Sequence, residues 1–153
     1  MRRMLKFRFW CNEHGYVDSG FDTPIQEVFF NQRGELGRSC PLCFKSRPMT
    51  LEQFTGLDDS EGKPVCEGDI VDFTYWWFDG DQVESHLIGA VVYLPQSVSF
   101  GLRGVKNPDW IKHIGGPRGS SDTAPLATWM FDGDDFKVLG NVHEHPDLLE
   151  GMK

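Results

Sequence analysis

Val65-Cys66-Glu67-Gly68-Asp69-Ile70-Val71-Asp72-Phe73-Thr74-Tyr75-Trp76-Trp77-Phe78-Asp79-Gly80 decides the class of fold. Val65 to Thr74 reads as strand and Tyr75-Trp76-Trp77-Phe78 continues it, with the branched and aromatic side chains that suit a pleated strand. Asp79-Gly80 closes the run with residue types that tolerate positive φ, a hairpin signal. Beyond it, His86-Leu87-Ile88-Gly89-Ala90-Val91-Val92-Tyr93-Leu94 reads as a buried strand that stops at Pro95. Ser97-Val98-Ser99-Phe100-Gly101-Leu102 alternates polar and apolar residues and is expected to pair with it.

The same chemistry extends outward. Leu5, Phe7 and Phe9 alternate with Lys6, Arg8 and Trp10, the period-2 pattern of a half-buried strand. Ile25-Gln26-Glu27-Val28-Phe29-Phe30 is a second candidate strand, and Gln53-Phe54-Thr55-Gly56-Leu57 leads into the polar loop Asp58-Asp59-Ser60-Glu61-Gly62-Lys63-Pro64. Residues 103–127, broken by Gly104, Pro108, Gly115, Gly116, Pro117, Gly119 and Pro125, read as one long loop. Ala127 to Phe131 and Phe136 to Val142 flank an acidic turn and suggest a final hairpin, while Pro146 and the acids beside it favour one short helix at the end. No segment sustains helical periodicity. The expectation is therefore a mainly β fold with about six to eight strands in small SH3-like or barrel-type sheets and a short C-terminal helix. Residues 1–49 would form a small N-terminal β subdomain and residues 50–153 the barrel core.

Composition sets the remaining bounds. With 153 residues, 39% hydrophobic and 25% charged, the chain can bury a core and is not a disordered composition. No apolar run approaches the roughly 20 residues of a spanning helix, so no membrane partner is expected. Met1 to Trp10 lacks the apolar core of a secretory signal, which points to the cytoplasm. Residues 1–50 hold eight basic and five acidic side chains, whereas residues 51–153 hold seven and eighteen. So acidic a main part would repel a phosphate backbone, and nucleic acid is disfavoured as a partner except at Arg2, Arg3, Lys6 and Arg8.

Cys11-Asn12-Glu13-His14 and Cys40-Pro41-Leu42-Cys43 form the sharpest chemical pattern. Two turns of C-x2-C/H spacing each offer a pair of soft or borderline ligands, the set a tetrahedral zinc ion takes. Cys11, His14, Cys40 and Cys43 would then close the shell of a structural zinc, leaving no position for an activated water. The same residues equally suit a strand end, an exposed histidine and two unconnected thiols. What separates the readings is whether the two pairs meet. A redox role for Cys40 and Cys43 would need a helix start to lower a thiol pKa, and Phe44-Lys45-Ser46-Arg47-Pro48 cannot sustain one. Cys66 reads as a buried apolar strand residue. His143-Glu144-His145 lacks a third convergent group at a defined spacing, and no phosphate-binding loop or nucleophile elbow occurs. Trp77-Phe78-Asp79-Gly80-Asp81 and Met130-Phe131-Asp132-Gly133-Asp134 resemble each other, and two acidic hairpin turns account for both more simply than a cation site does.

Gln53-Phe54-Thr55-Gly56-Leu57, Gly62-Lys63, Glu67-Gly68-Asp69-Ile70-Val71, Gly89-Ala90-Val91 and the ending Val138-Leu139-Gly140-Asn141-Val142-His143-Glu144-His145-Pro146-Asp147-Leu148-Leu149 resemble, in this order, the YopX family of phage and prophage proteins. Lys6-Phe7-Arg8-Phe9-Trp10 is similar to the family's opening. The resemblance implies a mainly β, barrel-containing, homo-oligomeric intracellular protein of phage or prophage type, in a family with no established activity. The Cys and His pairs are a departure from that family pattern. Gly56, Gly68, Asp69, Gly140 and Asn141 read as architectural. Gly68 supplies backbone freedom, Asp69 a side chain able to bond turn amides, and Gly140-Asn141 are expected to do likewise at the other end of the barrel.

These readings converge on a non-catalytic, self-associating binding or assembly module with a phage or host protein as partner, and with no catalytic or cofactor-binding residue. Two alternatives stay open: an enzyme of phage nucleotide or nucleic-acid metabolism using His143, His145 and nearby carboxylates, and a nucleic-acid binder using the basic first strand.

Overall fold

The computed structural model describes residues 6–17, 29–30, 36–37, 39–42, 49–78, 80–95, 98–104, 123–125 and 136–150. These contain eleven strands and one four-residue helix, so the fold is mainly β. Two compact units divide the chain, Met1–Phe54 and Thr55–Lys153.

In the first unit, β1 (Phe7–Cys11) lies between β2 (Gly15–Val17) and the first half of β5 (Thr50–Asp58), antiparallel to both. A separate two-stranded ribbon pairs β3 (Phe29–Phe30) with β4 (Leu36–Gly37). The β1–β2 turn is tight: the His14 amide donates to the Cys11 carbonyl at 3.2 Å, and Gly15 takes φ +73° so that the chain can reverse. Strand alternation sorts the side chains onto two faces. Phe9, Cys11 and Val17 are buried with Cys40 and Met49, and Phe7 and Leu51 pack against them. On the opposite face Arg8 and Glu52 are direct cross-strand partners, as are Trp10 and Tyr16.

In the second unit a five-stranded sheet runs in the order β10 (Thr123–Pro125), β9 (Ser99–Arg103), β8 (Gln82–Leu94), β7 (Asp69–Phe78), β11 (Phe136–Asn141). The end of β5 lies beside β6 (Pro64–Cys66). All the described pairings of the five-stranded sheet are antiparallel. Register places Phe73 opposite Leu87, Val71 opposite Gly89 and Val91 opposite Leu102, and all of these are buried. Burying one such aliphatic or aromatic side chain is worth about 1.5–3 kcal/mol, and a row of them holds the ladder. The short helix α1 (Asp147–Glu150) follows Pro146, and the acids Asp147 and Glu150 lie in its single turn. Among the described residues no helix is long and apolar enough to cross a membrane.

Two expectations change. The strand count rises to eleven because two- and three-residue strands carry too little alternation to register in a sequence. Residues 103–127 are not wholly loop, for Thr123, Ala124 and Pro125 pair with Arg103, Leu102 and Gly101. Pro125 stands in β10, an edge strand, where a missing N–H is tolerated. Phe136 to Asn141 pair with β7, while Ala127 to Phe131, the other half of the expected final hairpin, lie outside the described residues. So do Ile25 to Val28 and the acidic residues Asp79, Asp132 and Asp134.

Candidate metal centre

Cys11 and His14 face each other because one tight turn separates them. The His14 Nδ1 stands 3.6 Å from the Cys11 Sγ. The same nitrogen stands 3.7 Å from the Cys40 Sγ, across 26 residues of sequence. All three ligand atoms lie within 4.8 Å of one another, a group able to hold a metal ion. Both cysteines are buried in the apolar face of the first unit, and His14 is exposed at its rim. Cys43 lies outside the described residues.

The surroundings of Cys11 lower its thiol pKa. The backbone amide of Glu13 above all, then the His14 imidazole, hold its thiol below the ordinary range; burial pushes up, the His14 amide pushes down and the adjacent Cys40 thiol pushes up. Thiolate is the form that binds a soft or borderline cation.

The motif residues gather elsewhere, in the second unit. Gly68 takes φ +80° in the turn between β6 and β7, and the Cys66 amide donates to the Asp69 Oδ2 at 2.8 Å. The Gly68 amide donates to the Val91 carbonyl at 2.9 Å, and its carbonyl accepts the Val142 amide at 2.8 Å. Gly140 and Asn141 are therefore not at another end of the sheet, for Asn141 stands opposite Asp69 and Gly140 opposite Ile70. Antiparallel pairing brings the start of β7 to the end of β11, a relationship that sequence distance conceals. A bulge at Leu139 shifts the register between Val138 and Gly140 and turns this leucine outward, 38% exposed. Gly56 takes φ +97° with open space where a Cβ would stand, so its backbone angle alone calls for glycine.

Asn141 organises the last turn. Its Oδ1 accepts the amides of His143 at 3.0 Å and Glu144 at 2.9 Å, and its Nδ2 donates to the Glu144 Oε2 at 2.6 Å. The His145 ring covers Gly140, where a Cβ would lie 2.8 Å from Nδ1. His143 is half-buried while Glu144 and His145 are exposed. Glu144 and His145 are thus tied into a turn by Asn141.

Sequence reasoning missed two polar centres. Glu52, 3% exposed, accepts Arg8 Nε at 2.6 Å and the Tyr16 hydroxyl at 2.9 Å. The Arg8 guanidinium also sits 4.6 Å from the centre of the Tyr16 ring. Only strand register could have revealed that Arg8, read as a free basic residue, has a buried carboxylate opposite it. Asp59, 6% exposed, accepts the amides of Glu61 at 2.9 Å and Lys63 at 2.8 Å through Oδ1 and that of Val138 at 3.1 Å through Oδ2. The local signal was present in the Asp-Asp-Ser-Glu-Gly-Lys loop, where an acid before a glycine turn bonds its own backbone. The link to Val138, 79 residues away, had none.

The described YopX protein family matches residues 6–150, nearly the whole chain. The chain belongs to the YopX family. Among curated proteins none matches it. The YopX chain is also similar to the crystal structure of protein EF1440 from Enterococcus faecalis, at 19% sequence identity and a TM-score of 0.46, over 95% of this chain and 98% of that one.

Proposed function

We propose that this YopX-family protein is a non-catalytic, self-associating binding or assembly module of phage or prophage type. Its first unit would be stapled by one structural zinc on Cys11, His14, Cys40 and Cys43. The observation that carries the metal assignment is the meeting of Cys11, His14 and Cys40 within 4.8 Å, the two cysteines buried in a small core and His14 exposed at its rim. The C-x2-C spacing of the sequence supplies Cys43 as the fourth thiolate. Support for a non-catalytic role comes from Asp69 and Asn141, whose side chains bond backbone amides in the turns they occupy. Self-association follows from the aromatic content of Tyr75 to Phe78 and the 45% exposed Tyr93.

Metal analysis of protein purified without chelator, together with light scattering, tests the proposal. One zinc per chain, lost in Cys40→Ser, and a solution mass above the 17.4 kDa of a single chain are the expected results. A metal-free protein would remove the staple, and a strict monomer at micromolar concentration would remove the assembly role.

A further inference from the structure

Resting on the zinc assignment above, we infer that metal binding is a folding switch confined to the first unit. Met1–Phe54 would hold its sheet only while the cation is bound, and Thr55–Lys153 would keep its fold without it.

The argument starts from what each unit buries. Among the described residues of the first unit the core cluster is Phe9, Cys11, Val17, Cys40 and Met49, with Phe7 and Leu51 packed against it, so two of its five buried members are the proposed ligands. Its described strands are short, five residues in β1, three in β2 and two each in β3 and β4, and only the first half of the nine-residue β5 belongs to it. A unit as small as Met1–Phe54 falls in the range where a metal or disulfide commonly completes the fold. The polar face offers no substitute, because desolvating Arg8 and Glu52 offsets most of what their pairing returns. In the second unit Val65, Ile70, Val71, Phe73, Leu87 and Val91 are buried with no proposed ligand among them.

The free-ligand geometry points the same way. Thiol–imidazole separations of 3.6 and 3.7 Å are hydrogen-bond contacts between weak partners. A cation would replace them with bonds of about 2.0–2.3 Å and tie Cys40 directly to the β1–β2 turn. Because the ligand set does not preassemble in an unfolded chain, binding energy becomes folding energy for the segment that holds it.

Hydrogen exchange of the full-length, zinc-loaded protein, read by mass spectrometry before and after chelation, tests the switch. Phe7–Val17 and Thr50–Phe54 should lose protection to the rate of an open chain, Asp69–Leu94 should keep theirs, and added Zn2+ should restore the first unit. His14→Ala, at an exposed position outside the core, should behave like the chelated protein even where Cys40→Ser does not accumulate. A zinc-bearing protein whose first-unit protection survives chelation overturns the switch and leaves the zinc assignment standing. Loss of protection throughout both units overturns its confinement to the first. A protein that neither carries nor takes up zinc overturns the assignment itself, and the switch with it.

Discussion

Asp69 and Asn141 stand opposite each other at the junction of β7 and β11, both buried and both bonded to backbone amides. The Gly68 carbonyl and the Val142 amide close the junction beside them at 2.8 Å. Four residues from two distant blocks of sequence thus make one joint. The energetic consequence is asymmetric: each bond contributes modestly, but an amide left without its acceptor inside the joint is costly.

Asn141→Ala should destabilise the second unit by about 2–3 kcal/mol, since the amides of His143 and Glu144 lose a shared acceptor. Urea unfolding should show a lower midpoint with an unchanged slope. A midpoint equal to that of the parent protein would show that water replaces the Asn141 side chain without loss.

Gly140→Ala places a methyl 2.8 Å from His145 Nδ1 and 3.1 Å from its Cβ, so the ring must leave its seat. A loss of about 1–3 kcal/mol is expected. Adding His145→Ala should recover most of it, because the ring atoms are then gone. A double variant as unstable as the sum of the two singles would place the strain in the backbone instead.

Asp59 links stability to pH. Burial pushes its carboxyl up, but the amides of Lys63, Val138 and Glu61 and the Lys63 charge together push it further down, to a net position below the ordinary carboxylate range. A carboxyl depressed in the folded state binds its proton less readily there than in the unfolded chain. Its stabilisation is present above the unfolded pKa and is lost as pH falls through the folded one. Asp59→Asn should therefore be less stable than the parent at neutral pH, with the difference shrinking as acid is added. Thermal melts across this range would reveal an unchanging gap if Asp59 is not the linked group.

Glu52→Ala leaves Arg8, 16% exposed, without its carboxylate and the Tyr16 hydroxyl without its acceptor. A cost of about 3 kcal/mol or more is expected in the first unit. Glu52→Gln should fall between the two, keeping an oxygen but not the charge. Hydrogen exchange of Phe7–Val17 in increasing denaturant would check the order.

Val98 offers a change of opposite sign. It is 76% exposed and holds φ +51°, a conformation that a β-branched residue adopts only under strain. Val98→Gly relieves that strain and removes no packing, and a gain of about 1 kcal/mol is expected. The melting temperature should rise by about 2–4 °C. A fall would mean that the valine has an apolar partner in solution.

Much of this molecule was legible from short-range pattern. Alternation at Phe7, Arg8 and Phe9 marks a strand because successive side chains point to opposite faces, whatever lies beyond them. The branched run from Ile70 and the turn at Gly80 identify β7 and its reversal into β8 for the same local reason. The three-residue β10 was not legible, since its pairing is decided by neighbours rather than by its own few residues. Within the metal centre, the turn that joins Cys11 to His14 is local, whereas the approach of Cys40 depends on how the first unit closes.

Alone, the sequence determined the β class, the family and the residue types of a candidate metal site, because each depends on side-chain chemistry or on neighbours a few positions apart. Tertiary structure decided that Arg8 faces Glu52, that Asp59 holds the Val138 amide and that Gly68-Asp69 joins Val142 and Asn141. The reason is physical: antiparallel register and a bulge set these pairings, and both arise from cooperative closure of the sheet rather than from any local preference.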